Sequence, residues 1–415
     1  MFRSGAMLYA VFICFLISLL FSGLILFGYL NGKEIININQ NLLLIKNVES
    51  FFNSQNLSDL NLNDSTEIDL YSDETAIVNV KAKQWGLFDI IECRSERKKS
   101  KYVKTALVGS EFDFSNEQVL YLCDGRQALS ISGKTVIKGN CSLPERGIKT
   151  NFIEGTGFTG DKKVEGVISN SKAFLPEINS QELQKRISIL DEYAGLINID
   201  NFYNYNPGDS IINSFNNLPL VVHSSEKMKA DELYIKGNVI ITSDVEVFIG
   251  KDTEISDAVI FAPSITVESG FKGTLQLLAI DSVDIQSNCI LYFPSVISIY
   301  SSKNEELKSL IKVGDKSVFC GTILNFNAKH NFKSQSLVSI GSEAKVYGEV
   351  YCSDAIEVKG EFYGSMYCRT LVYISKTGRY ENQLLNATLD FYKLPEYFVG
   401  IDLFENGNKK VIKWL

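Results

Sequence analysis

Histidine is nearly missing from this sequence, with only His223 and His330 among 415 residues. That leaves little material for imidazole-based metal binding or acid–base catalysis. Basic residues are outnumbered 41 to 49 by acidic ones, for a formal charge of −8. Duplex binding needs a basic footprint, so nucleic acid is not an expected partner. There is no CxxC spacing, and the cysteines match no zinc pattern. A P-loop, a dinucleotide-binding fingerprint in a strand–helix setting, GxSxG and HExxH are all missing. Gly133-Lys134-Thr135 has a P-loop ending, but Ala128 stands where the leading glycine belongs. The run from Gly155 to Gly160 is glycine-rich but lacks the GK[ST] ending and a strand–helix setting, so both stretches read as turns or solenoid corners. No cofactor or metal is expected, and the chain reads as a non-enzyme. Proline is scarce at 7 residues, whereas glycine reaches 29 and Val, Ile and aromatics are abundant. This balance favours short strands joined by tight turns, so the expected class is mainly β.

Charge is missing altogether from the 26 residues between Gly5 and Leu30. About 20 apolar residues suffice to cross about 30 Å of hydrocarbon, whereas a cleavable secretory signal has an apolar region of only about 7–15. The run reads as an uncleaved, single-pass membrane anchor. Arg3 and the free amine precede it, while Lys33 and Glu34 cancel after it, which places the body outside the cytoplasm. Cys14 lies in the anchor, leaving Cys93, Cys123, Cys141, Cys289, Cys320, Cys352 and Cys368 in the body. Disulfides persist in such a compartment, but seven is odd, so one thiol at least stays free or pairs with another chain.

Six segments follow along the chain. Residues 1–54 are the anchor and its helical continuation, in which Ile36, Leu43, Val48, Phe51 and Phe52 make a partial apolar stripe. Residues 55–118 begin with a polar loop and become a β-rich region. There Arg94 to Lys101 reads as the solvated tip of a hairpin, with a docking patch for phosphate or an acidic partner as the other reading. Residues 119–178 are a first solenoid-like stretch. Residues 179–218 hold a helical insertion, with Leu183, Ile187, Ile189 and Leu190 on its apolar face. Residues 219–381 form the main repeat, and 382–415 an aromatic-rich cap that covers the open strand edges of the last turn.

The repeat is an apolar–polar–apolar triplet that begins at Val245, Ile265, Val283, Ile311, Val338, Ile356 and Val372. Many triplets are accompanied by a second short strand that opens on a glycine, at Gly273, Gly321, Gly348 and Gly364. Periods below 50 residues signal a solenoid. A turn of about 16–20 residues cannot bury its own apolar side; stacked turns, about 4.8 Å apart, share one core. The expected architecture is therefore a β-helix with short coils behind one transmembrane helix and a smaller β-rich region, with a β-sandwich as the competing reading. In the last two coils Gly348-Glu349-Val350-Tyr351-Cys352 is answered by Gly364-Ser365-Met366-Tyr367-Cys368. Cys352 and Cys368 should stack on adjacent coils, within Cα range for a disulfide but with parallel Cβ vectors that would strain it. They read as stacked free thiols and as a candidate redox pair. Tyr351 and Tyr367 should stack on the opposite face.

The N-terminus, Arg3-Ser4-Gly5-Ala6-Met7-Leu8-Tyr9-Ala10 and the apolar run behind it, resembles PilX-type minor pilins and K-type minor pseudopilins. That resemblance implies leader processing between Gly5 and Ala6, and a helix that packs among other pilin-like or envelope proteins within the membrane. Ala10 occupies the fifth mature position, where major pilins carry glutamate. Val338 to Ile374 resembles the short-coil β-helix of bactofilins, a polymer-forming cytoskeletal family. This likeness implies association of like chains through the solenoid ends. Together they imply a non-catalytic structural or minor-pilin-like component of a type IV pilus or type II secretion-like envelope assembly.

The alternative is a surface β-helix that binds or cleaves carbohydrate. Asp244, Glu246, Asp252 and Glu254 alternate around one coil and are the candidate carboxylates for acid–base chemistry or Ca²⁺. No neighbouring coil repeats them, and they read as ordinary solvent-facing positions.

Overall fold

The computed structural model describes residues 4–54, 57, 60, 65–71, 76–97, 100–195, 208–301, 308–327, 335–404 and 407–415. The chain is mainly β, with one long apolar N-terminal helix, and divides into two compact units. The first comprises residues 1–82 and 91–106, and the second 83–90 and 107–415.

The first unit is built on helix α1, Ser4–Asn53, which is long and apolar enough to span a membrane. At 1.5 Å per residue its 50 residues extend about 75 Å, well beyond a bilayer core. The large apolar side chains from Met7 to Leu30 are exposed, whereas Leu44, Asn47, Val48, Phe51 and Phe52 are buried. Their i, i+3, i+4, i+7, i+8 spacing is one face of a helix. The helical continuation to residue 53 is thus as the sequence predicts, but the stripe differs. Ile36 is exposed and Leu43 half-buried, and Leu44 and Asn47 take the inner positions. Strand β1 (Ser65–Asp69) pairs antiparallel with β2 (Ile77–Trp85), Ser65 opposite Lys81 and Asp69 opposite Ile77. Strands β3 (Phe88–Arg97) and β4 (Ser100–Glu111) continue the sheet. Residues 94–97 and 100–101 flank the turn expected there, whose tip at 98–99 lies outside the described residues. Within this unit Tyr71 donates its hydroxyl proton to Ser50 Oγ at 3.1 Å, and Lys104 faces Glu49 at 3.9 Å, both tying the strands to the end of α1.

In the second unit the strands pair in parallel along three columns. One runs Ile235–Ile255–Gly273–Leu291–Phe319–Val346–Phe362–Leu389–Ile137. A second runs Ile241–Ile260–Leu277–Ile297–Ile323–Val350–Met366–Leu120–Cys141–Ile168. The third runs Met228–Val247–Ile265–Val283–Ile311–Val338–Ile356–Leu371. Followed from strand to strand, the pairing closes on itself as in a barrel. Nearly all of these side chains share one buried core, because alternate residues of each strand point to the same side.

Five of the seven predicted triplets are in register, from Ile265 to Ile356. At the ends the register moves: Val247, not Val245, pairs with Ile265, and Leu371, not Val372, pairs with Ile356. Val245 is exposed, and Val372 lies opposite Glu357. Gly321, Gly348 and Gly364 align with one another, whereas Gly273 falls two positions out, opposite Leu291 and Phe319, because the register shifts there.

Chain order and spatial order also differ. The stretch 119–178 does not precede the main repeat: Leu120 and Leu122 pair with Met366 and Cys368, at the far end of it. Residues 382–415 do not act as a separate cap. Gln383–Leu385 pairs with Leu129–Ser132, and Thr388–Asp390 lies between Glu361–Ile374 and Val136–Lys138. Val399 and Gly400 instead pair antiparallel with Glu111 and Ser110 of β4. Edge strands with free amides recruit any segment that can complete their ladder, and here the nearest such segments come from both ends of the body.

Helix α2, Ser180–Gly195, forms where the sequence predicts it. Leu183 is buried and Ile187 partly so, but Ile189 is only half-buried, and Arg186 takes the centre of the buried face. The side chain of Leu190 lies outside the described residues.

Candidate functional site

Alternation along a strand sends every second residue away from the core, where a polar side chain ordinarily meets water. In this protein part of that outer side is covered by residues 83–90, by α2 and by the segment after Val399, with Trp85, Leu87, Leu183, Ile401 and Leu403 in one buried cluster. Gln276, Val296, Thr322, Glu349 and Ser365 form an outer column, in register across five strands. All are buried.

Each polar member must then find a partner or remain costly. Gln276 is fully buried with both ends of its amide paired: its Oε1 accepts from the Leu87 amide at 2.7 Å, and its Nε2 donates to the Trp85 carbonyl at 3.1 Å. Ser365 donates to the Gln118 carbonyl. Glu349 is 5% exposed and its carboxyl takes part in no hydrogen bond among the described residues. Burial pushes its pKa up to about 8, so the carboxyl is protonated at neutral pH.

Glu349 lines a cavity of about 730 Å³, large enough for a small molecule or a side chain. Glu111, Asp113, Tyr121 and Tyr367 line it as well, with Phe112, Ile401, Leu403 and Phe404 on its apolar side. Asp113 accepts hydrogen bonds from Ser115 and Asn116, and Glu111 faces Lys410 at 3.6 Å. Tyr121 donates to the Phe174 carbonyl and accepts from the Lys172 amide, both at 3.1 Å. Burial, then the Glu349 carboxyl, pushes the Tyr367 phenol up. Gly400 faces the carboxyl: a Cβ there would lie 3.4 Å from a Glu349 carboxylate oxygen, so the missing side chain helps keep the space open.

Glu349 carries no functional signal of its own in the sequence. Its signal is visible only after alignment of Gly321-Thr322-Ile323, Gly348-Glu349-Val350 and Gly364-Ser365-Met366, which puts an ionisable residue in a slot otherwise held by small hydroxyls.

The carboxylates singled out in the sequence do not converge. Glu246 pairs with Lys227 at 2.8 Å, and Asp252 faces Lys251 at 3.6 Å. Asp244 and Glu254 are exposed, the former 3.7 Å from Nε2 of His223, whose Nδ1 meets Thr242 Oγ1 at 2.8 Å. His330 lies outside the described residues. Among the described residues no cluster of His, Cys, Asp or Glu is arranged to hold a metal. Gly5 and Ala6 both lie in the first turns of α1, and Gly5 is exposed.

Cys352 lies directly opposite Cys368 on neighbouring strands, and Tyr351 opposite Tyr367, with ring centroids 6.2 Å apart. The cysteines belong to the inner core and the tyrosines to the outer cluster. Both thiols are free and fully buried; burial pushes Cys352 up to about 12 and Cys368 well above the ordinary thiol value. The thiolate is the reactive species, so neither residue should react in the folded protein. Maleimide at pH 7.5, followed by peptide mass spectrometry, should leave both unlabelled in native protein and label both in denaturant. Rapid native labelling, or a bridge between them, would be the contrary result.

Comparison of the chain with known protein families, characterised proteins and solved structures returns no match.

Proposed function

We propose that this protein is a membrane-anchored, non-catalytic structural component of a pilin-like envelope assembly, with its body outside the cytoplasm. The observation that carries the reading is helix α1, one rod whose first half carries no charged side chain and exposes large apolar ones, and whose last turns are a buried face of the first unit. Exposed apolar surface of that extent needs lipid or other apolar helices around it. A helix continuous from the membrane into the first unit would hold that unit to the anchor, as a filament or pseudopilus subunit requires. Gly5 and Ala6, at the start of the rod, are where leader processing would fall.

The second unit is read as a β-helix. Its support is the parallel pairing of successive strands along three columns, interrupted by local register shifts. Such a body is a stiff spacer whose two ends are its natural places for contact with like chains.

The test is expression of the full chain in a bacterial host with an active prepilin peptidase, followed by fractionation, intact mass and protease treatment of spheroplasts. The expected result is a membrane-bound chain, shortened by the residues before Ala6, whose body is digested from outside. A cytosolic or protease-protected body would sink the anchored reading. An unshortened membrane protein would sink the pilin-like part of it.

A further inference from the structure

The outer cavity of the second unit carries an inference that stands apart from the anchor and from any assembly role. We propose that this cavity binds a primary ammonium group carried on an aliphatic stem, with Glu349 as its counter-ion.

Three carboxyl groups line the cavity, those of Glu111, Asp113 and Glu349, and among the described residues no lysine, arginine or histidine does. Two of the three are already engaged, Glu111 with Lys410 and Asp113 with Ser115 and Asn116. Glu349 is the one left without a hydrogen bond, at a position nineteen-twentieths buried. A carboxyl at a buried position with no hydrogen-bond partner from the protein is costly to the fold, and a register slot filled by Thr322 and Ser365 on the adjoining strands shows no packing need for it.

A cation relieves that cost most directly, because its attraction to a carboxylate is strongest where water is excluded. Tyr367 adds an aromatic face beside the charge, and Phe112, Ile401 and Leu403 supply apolar wall for a methylene stem. A neutral ligand would leave Glu349 protonated and would gain nothing from its charge.

Binding is thereby linked to a proton. The empty site holds Glu349 protonated at pH 7, and an ammonium ion favours the carboxylate, so the carboxyl proton passes to solvent as the ligand enters. Affinity should climb about tenfold per pH unit between about pH 5 and 8 and then level off. Glu111, Asp113, Tyr121 and Tyr367 are the other titratable groups facing the cavity, and Tyr367, pushed up by burial and by Glu349, keeps its proton over this range.

The test is isothermal calorimetry on the full chain in maltoside micelles at pH 6.5, in two buffers of different ionisation enthalpy. The ligands are n-butylammonium chloride and a short acetylated peptide with one central lysine. Saturable binding with release of about one proton is expected, weakened at least tenfold and without proton release in Glu349→Gln. Preference for the peptide would identify a protein-borne lysine, and preference for butylammonium a free amine; either supports the proposal. Glu349→Gln should also unfold at the wild-type temperature near pH 4 and several degrees above it at pH 8. The raised carboxyl pKa makes wild-type stability fall as pH rises from about 4.5 toward about 8, and the variant lacks that loss. The proton count on the native chain needs no variant. No saturation by either ligand, equal binding of n-butanol, or an unchanged affinity and proton count in Glu349→Gln would overturn the proposal.

Discussion

Arg186→Ala is expected to cost the second unit about 3–5 kcal/mol, the range for breaking a buried ion pair from one side. Arg186 and Asp89 have side chains only 3% and 4% exposed, so solvent screens them little. The guanidinium grips Asp89 with both arms, at 2.7 and 3.3 Å, and its Nε lies 3.2 Å from Glu182. Lys409 completes the group, 2.7 Å from Asp89. Without the guanidinium, Asp89 would remain buried with one cation instead of two. The backbone carbonyl of Arg186 also accepts from Gln84 at 2.7 Å, a bond that alanine keeps, so the loss reports the side chain.

The same cluster sets a pH dependence. Burial pushes Asp89 up, but Arg186 and then Lys409 outweigh it and hold the carboxyl below the usual range. A carboxyl pKa depressed on folding contributes stability that is present above the unfolded value of about 4 and is lost as pH falls through the folded value. Asp402 faces the same charges and is pushed up, burial outweighing Arg186 and Lys409. Urea unfolding of the full chain in detergent reads the effect cleanly, because both tryptophans, Trp85 and Trp414, belong to the second unit. A loss below about 1 kcal/mol for Arg186→Ala, the size of a surface pair, would refute the reading.

Gly364→Ala should be nearly as damaging, at about 3 kcal/mol or more. Gly364 has φ +139°, a conformation that residues with a Cβ rarely adopt, and an added Cβ would collide with the carbonyl oxygen of Gly348 on the neighbouring strand. Gly348, at the same φ, stands in the same way over the carbonyl of Gly321, so backbone lies under backbone and no side chain can swing aside. Strain and overpacking each cost about 1–3 kcal/mol, and here they add. Gly125→Ala is the control: its Cβ would meet nothing within 4 Å, and its change should stay within about 0.5 kcal/mol. Equal losses at the two glycines would show that the close approach at Gly364 is not what holds the glycine there.

These residues divide into those that periodicity reveals and those it cannot. Ile265, Val283, Ile311, Val338 and Ile356 are aligned from sequence alone, since a parallel stack demands one apolar side chain per strand at each level. The glycine, tyrosine and cysteine of 348–352 and 364–368 align for the same reason. Arg186 was hidden by its charge: a helix face read for apolar residues passes over a buried guanidinium, whose burial depends on Asp89, 97 positions away. Gln276 was hidden likewise, because its partners Trp85 and Leu87 lie about 190 residues earlier.

What the sequence by itself determined is local and repetitive: a membrane-length apolar helix, a mainly β body, the spacing of its central strands and most of the residues that face inward there. These follow from charge, side-chain shape and the two-residue period of a strand, all of which operate between near neighbours. Only the tertiary structure decided which outward positions are buried. Residues 83–90, 120–170 and 383–404 return to cover or extend strands far from them in the chain, and no pattern within those strands announces the return. Glu349 is the consequence: a polar residue on an outer face by its place in the strand, and a buried residue without a protein hydrogen-bond partner, lining a cavity, by virtue of what folds over it.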